Sequence, residues 1–138
     1  MPRYMLDTNI CIYLMKRQPP EVAARFAELR AGDVVISAIT HAELSYGVAC
    51  SGERAPQNHA ALAALVEALP VAAFDKDAGA AYAEIRLACP ARTKDALDKL
   101  IAAHARALGC VLVTNNVKDF AGHPGLTLEN WVEAPAPA

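Results

Sequence analysis

Short apolar runs, three or four residues long, recur along the chain, and each is followed by a stretch whose apolar positions fall at helical spacing. Arg3 to Leu6 predicts a buried strand whose carboxyl end delivers Asp7 to the surface, and Ile10 to Lys16 continues as a helix that Pro19 and Pro20 must end. Pro20 suits the first turn of a second helix carrying Val22, Ala23, Phe26 and Leu29, stopped at Gly32-Asp33. Val34 to Ser37 is a second strand, continuous and β-branched as in a sheet covered on both faces. Thr40 can cap a third helix, with Glu43 three residues on completing a capping box, and Ser51-Gly52 breaks that helix. A fourth helix spans Pro56 to Leu69, and Val71 to Phe74 is a third strand. Asp75 or Asp77 opens a fifth helix through Ala81, Ile85 and Ala88, stopped by Pro90. Thr93 or Asp95 opens a sixth, with Leu97, Leu100, Ile101, His104 and Leu108 as its apolar stripe and Gly109 just past its end. Val111 to Thr114 is the fourth strand, and Leu126 to Leu128 reads as an edge strand. Strands alternating with helices predict a three-layer α/β/α domain around a short, mostly parallel sheet.

Composition narrows this picture. The 138 residues suffice for one domain, taken as 1–133, with the Ala-Pro tail 134–138 fraying. No apolar run approaches the roughly 20 residues of a membrane span, and there is no signal-peptide pattern, so the expected location is cytoplasmic. Cys11, Cys50, Cys89 and Cys110 lie far apart without zinc-ligand spacing and read as small hydrophobes. A net charge of −2 excludes the strongly basic class of nucleic-acid binders. Nucleic-acid contact would rest on local Lys and Arg, such as Arg92, Lys94 and Lys99, or on cations between carboxylates and phosphate.

The candidate chemistry lies in Asp7, Glu43, Asp98 and Asn116. Asp7 and Asn116 follow buried strands, Glu43 sits early in the helix after the second strand, and Asp98 lies near the start of the sixth helix. Beyond Asp98, the small Ala102 and Ala105 allow close backbone approach. All four can converge at the carboxyl end of a parallel sheet, where open α/β folds place ligands. Crowded carboxylates repel, and a hard divalent cation such as Mg²⁺ or Mn²⁺ relieves that repulsion. Each residue also has an ordinary reading: Asp7 and Glu43 as helix-capping residues, Asp98 as a surface acid, and His104 as a hydrogen-bonded core histidine.

Met5-Leu6-Asp7-Thr8-Asn9, Ile39-Thr40-His41-Ala42-Glu43-Leu44, Asp98 to Ala105, and Leu112-Val113-Thr114-Asn115-Asn116 with Phe120 occur in that order. Gly125-Leu126 and Glu129-Asn130-Trp131 follow. The ordered set resembles a PIN domain, and more narrowly the VapC toxins of bacterial toxin–antitoxin pairs. The resemblance implies a Mg²⁺/Mn²⁺-dependent endoribonuclease acting on structured RNA, tRNA foremost, with Asp7 and Asp98 as metal ligands and Glu43 a ligand directly or through water. Thr8, Asn9 and Thr114 would orient these ligands. It also implies a VapB-like antitoxin as partner, and a homodimer joined to it as a heterotetramer or larger. Asn116 departs from the family, where a fourth Asp is common; Asp119 could partly compensate. The segment 88–94 departs too, where similar toxins often carry a Gly-containing turn. Two rivals remain: a phosphatase with Asp7 as nucleophile, which Thr8-Asn9 argues against by supplying no second acid two residues on, and a PIN domain that binds RNA or a partner without cutting, which Asn116 makes plausible.

Overall fold

The computed structural model describes residues 2–89 and 96–132. Five parallel strands, β1 (Tyr4–Leu6), β2 (Val34–Ser37), β3 (Val71–Ala72), β4 (Val111–Val113) and β5 (Leu128–Glu129), form a sheet in the order β3-β2-β1-β4-β5. The helices are α1 (Thr8–Lys16), α2 (Pro20–Ala27), α3 (Ala38–Ala49), α4 (Ala55–Ala68), α5 (Lys76–Ala88), α6 (Ala96–Leu108) and the short α7 (Val117–Phe120). Alternation along the strands divides the core in two. Tyr4, Leu6, Val34 and Ile36 pack with Ile10, Val22, Leu44 and Leu62, whereas Met5, Val35 and Leu112 pack with Ile85, Ile101, Ala102 and Phe120. Helices thus cover both faces, and this forces the central strands to be apolar throughout rather than amphipathic.

The strand order puts a topological switch beside β1. The chain runs outward from β1 through β2 to β3, then returns to β4 on the other side of β1. In such sheets the crevice outside the carboxyl ends at the switch is where ligands bind. Asp7 follows β1 there, and Thr114 to Asn116 follow β4.

Several expectations shift in the structure. The third helix begins at Ala38, and its cap is Ser37, whose Oγ accepts from the Ile39 N–H at 3.0 Å. Thr40 is fully buried, with no hydrogen-bond partner for its hydroxyl among the described residues, so the Thr40–Glu43 capping box does not form. Asp75 is the cap of α5, accepting from the Ala78 N–H. Leu97 is exposed; the buried face of α6 is instead Ile101, Ala102, His104 and Ala105. The edge strand lies at Leu128–Glu129 and pairs in parallel with β4. Pro90, Thr93, Asp95 and the tail 134–138 lie outside the described residues.

Gly125 has φ +72°, and a Cβ built there would stand 2.9 Å from Arg106 Nε. The Arg106 side chain, which reaches Glu84, can swing away, so the main penalty for Gly125→Ala is the left-handed backbone. A loss of about 1–2 kcal/mol is expected from that strain, read as a lower urea midpoint with an unchanged slope.

Candidate active site

Asp7 has extended backbone and caps α1, its Oδ1 accepting from the Ile10 N–H at 3.0 Å. Capping is the ordinary role read from the sequence, and the structure bears it out. The environment is not ordinary. Asp7 is 6% exposed, not carried to the surface as the strand pattern suggested. Burial holds its carboxyl above the usual range, the Thr114 hydroxyl and the Ile10 N–H oppose that shift, and the charge of nearby Glu43 adds to it. The β1–β4 register pairs Met5 with Leu112, and two residues on it sets Asp7 beside Thr114. Thr114 is itself fully buried, and its Oγ1 accepts from the Asn116 N–H at 3.0 Å.

Glu43 lies in the second turn of α3 and accepts from the Thr8 hydroxyl at 2.8 Å, a contact spanning 35 positions in sequence. A carboxylate pair is therefore held by two threonine hydroxyls, Thr8 on Glu43 and Thr114 on Asp7. Asn9 is exposed and acts on Asp7 through its backbone N–H, not its side chain. Burial, with a smaller push from Asp7, raises the Cys11 thiol far above its ordinary value, leaving it a neutral core group.

Asp98 lies in the first turn of α6, partly exposed. It shares a helical face with Ile101, Ala102 and Ala105, all essentially inaccessible, so it extends the sheet-facing stripe towards the helix start. Because α6 leads directly into β4 through Gly109 and Cys110, that start lies at the carboxyl end of the sheet. Asn116 is exposed at the rim and makes no side-chain capping bond to α7. Asp119 is exposed on α7.

Among the described residues, no three or more His, Cys, Asp and Glu side chains are grouped so as to hold a metal ion. The structure brings Asp7 and Glu43 together, with Asp98 at the start of α6 and Asn116 at the rim after β4. The donor set still fits a hard cation, because Mg²⁺ is commonly held by one or two carboxylates with water and substrate phosphate completing its shell.

Two features escaped the sequence. Asn115 donates from Nδ2 to the Tyr13 hydroxyl at 3.0 Å, tying the loop after β4 to α1. A groove of about 260 Å³ opens beside Glu43 and Thr8, walled by Ile12, Met15, Leu44 and Val48. The apolar members on α1 and α3 were visible in sequence; that they face a groove was not. Lys99 is 5% exposed, and Arg92 and Lys94, named with it as phosphate contacts, lie outside the described residues. Arg86 is exposed and bonds the Tyr82 hydroxyl.

Comparison with known proteins accords with this geometry. The PIN domain family model matches residues 4–124. The chain is 38% identical over 133 residues to the tRNA(fMet)-specific endonuclease VapC of Shigella flexneri, covering 95% of this chain and 99% of that protein. It is 39% identical over 134 residues to ribonuclease VapC2 of Haemophilus influenzae, covering 96% and 100%. DNA-bound VapBC from Salmonella typhimurium is similar in structure, with a TM-score of 0.84 at 34% identity over 95% of this chain and 99% of that one. No helix among the described residues is long and apolar enough to cross a membrane. A buried strand-end acid at a sheet's switch point, a second carboxylate beside it and full-length likeness to these ribonucleases lead to one assignment: the chain belongs to the PIN-domain family, among its VapC ribonucleases.

Proposed function

We propose that this domain is the ribonuclease toxin of a toxin–antitoxin pair, a divalent-metal-dependent endoribonuclease that hydrolyses structured RNA, tRNA foremost, and thereby inhibits translation. The observation that carries this reading is the buried Asp7 carboxyl set against Glu43, with a threonine hydroxyl fixing each. Asp7 and Glu43 would hold the cation, and Asp98 would approach from α6. A cation bound there supplies positive charge against the scissile phosphate and acidifies a water for attack. The Thr8 and Thr114 hydroxyls keep the two carboxylates aimed, as outer partners of metal ligands do. Asn116 brings an oxygen without charge, so any second cation is held more weakly at the β4 rim. Hydrolysis by water leaves 5′-phosphate and 3′-hydroxyl ends.

The partner in this reading is a VapB-like antitoxin, whose C-terminal segment would lie over the carboxylates; the apolar walls of the groove beside Glu43 offer it a surface there. The toxin acts as a homodimer within that complex. Support for the substrate comes from a relative bearing the name tRNA(fMet)-specific endonuclease, and support for the partner from similar VapBC complexes.

The test is incubation of the purified chain with total tRNA in Mg²⁺, in Mn²⁺ and in EDTA, beside an Asp98→Asn control. Discrete fragments that need metal and vanish in the control are expected. Fragments ending in 2′,3′-cyclic phosphate would mean attack by the RNA's own 2′-hydroxyl and would sink the water-attack reading. A second reading, a domain that binds RNA or a partner without cutting, draws on Asn116, an exposed amide at the β4 rim where a fourth carboxylate would add charge. Intact tRNA under every condition, with measurable tRNA binding, would favour it.

A further inference from the structure

His104 sits midway along α6, 1% exposed, at the layer between the sheet and the α5–α6 face. Its Nδ1 lies 2.8 Å from Ser37 Oγ, and that same oxygen accepts the Ile39 N–H that starts α3. Strand alternation explains the meeting. Val34 and Ile36 face the α1–α4 side of the core, Val35 faces α6, and Ser37 follows Val35. The serine oxygen can accept from the Ile39 N–H and still either donate to the ring nitrogen or accept from it, so the contact closes in either tautomer of the neutral ring. Burial favours that neutral ring, lowering the His104 pKa against the opposing pull of Asp75 and the Ala73 carbonyl. Phe74 meets the ring edge-on at 5.3 Å. The Asp75 carboxylate is the charge that acts on the ring, and it caps α5.

We propose that the His104–Ser37 hydrogen bond is a positioning brace for the carboxylates, locking the start of α3, the helix that carries Glu43, to α6, the helix that carries Asp98. This rests on the metal-dependent reading given above. Asp98 lies about 9 Å up the helix from His104, at roughly 1.5 Å per residue. The position of Glu43 depends on where α3 starts, and that start is capped by the serine His104 holds. The two acids come from separate helices, α3 following β2 and α6 leading into β4, and this bond joins those helices. His104 and Ser37 touch neither substrate nor cation; they act through helix placement.

The test is a double-mutant cycle in the full-length, metal-free chain, with Mn²⁺ affinity read by calorimetry and α3 amide exchange read by NMR. Ser37→Ala and His104→Leu are each expected to weaken Mn²⁺ binding by about 10-fold, the low end of what losing a direct partner of a metal ligand costs, because they act one contact further out. The double variant should be no weaker than either single, because both remove one bond. His104→Asn, which keeps an acceptor near the Nδ1 position, should stay close to wild type, and it carries the test if His104→Leu does not fold. Lowered stability with unchanged Mn²⁺ affinity and additive effects would mean ordinary core packing and overturn the brace. A wild type that takes up no Mn²⁺ sinks the metal reading instead. The brace is then judged on exchange alone, and unchanged protection of the Ile39 to Glu43 amides in His104→Leu overturns it.

Discussion

Asp7→Asn is expected to remove RNA cleavage while raising the melting temperature of the metal-free protein. The two effects have one origin. Burial and the neighbouring Glu43 charge lift the Asp7 carboxyl above its unfolded value of 3.8, so the ionised acid weighs against the fold at neutral pH. The sign follows from proton counts. Between the unfolded and folded pKa values the native state binds more protons than the unfolded chain, so stability falls as pH rises through that window. Below 3.8 the favourable contribution of the protonated acid is fully present. Asn keeps the capping bond to Ile10, being as good a helix cap as Asp, and carries no charge. Asp7→Ala removes the cap as well, at about 1 kcal/mol, and should fall below Asp7→Asn in stability while being equally inactive. Each kcal/mol corresponds to about 2–8 °C in a domain of this size. Thermal melts in EDTA from pH 3 to 8 would read all of this. Parallel pH profiles for wild type and Asp7→Asn would show that Asp7 carries no electrostatic strain. Retained cleavage by either variant would remove it from the reaction.

The second large effect is stabilisation by metal. If Asp7 and Glu43 hold a cation, the strain that Asn relieves is relieved by Mn²⁺ or Mg²⁺ as well, and binding to the native state alone adds about 2.7 kcal/mol at 100 times Kd. The wild-type melting temperature should therefore climb by several degrees with Mn²⁺ and return with EDTA. Asp7→Asn and Glu43→Gln should respond far less. Binding requires the Asp7 proton to leave, so the gain should shrink on acidification, as the raised carboxyl becomes protonated. An equal rise in Asp7→Asn would place the cation elsewhere; no rise in wild type at millimolar Mn²⁺ would remove metal from the proposal. Gain and loss are both read against the same EDTA baseline, so aggregation on heating cannot imitate the contrast between variants.

The contrast between local and distant determinants runs through the molecule. Sequence alone determined most of the elements and the expected place of the chemistry. Val34 to Ser37 is a strand because continuous β-branched residues suit a sheet covered on both faces. Pro20 opens α2 and Asp75 caps α5 because these residues act within one turn of themselves. The order of Asp7, Glu43, Asp98 and Asn116 along alternating strands and helices was enough to expect them at one end of the sheet.

Tertiary structure decided what those residues experience. Ser37 and Thr40 are both good caps, and local pattern favoured Thr40 because Glu43 follows three residues on. Ser37 prevails because β2 ends there, facing α6, where His104 meets its hydroxyl. Glu43, freed of that box, finds Thr8 from a different helix. Leu97 looked like core and is exposed, since it stands in the first turn of α6, ahead of the buried stretch from Ile101 to Ala105. Asp7 looked like a surface acid, but the turn after β1 lies under Thr114 and beside Glu43, and the resulting desolvation depends on chain segments far away in sequence. Capping, breaking and strand propensity act over a few residues and can be read along the chain; burial, pairing of distant side chains and shifted pKa values are set only when the layers close.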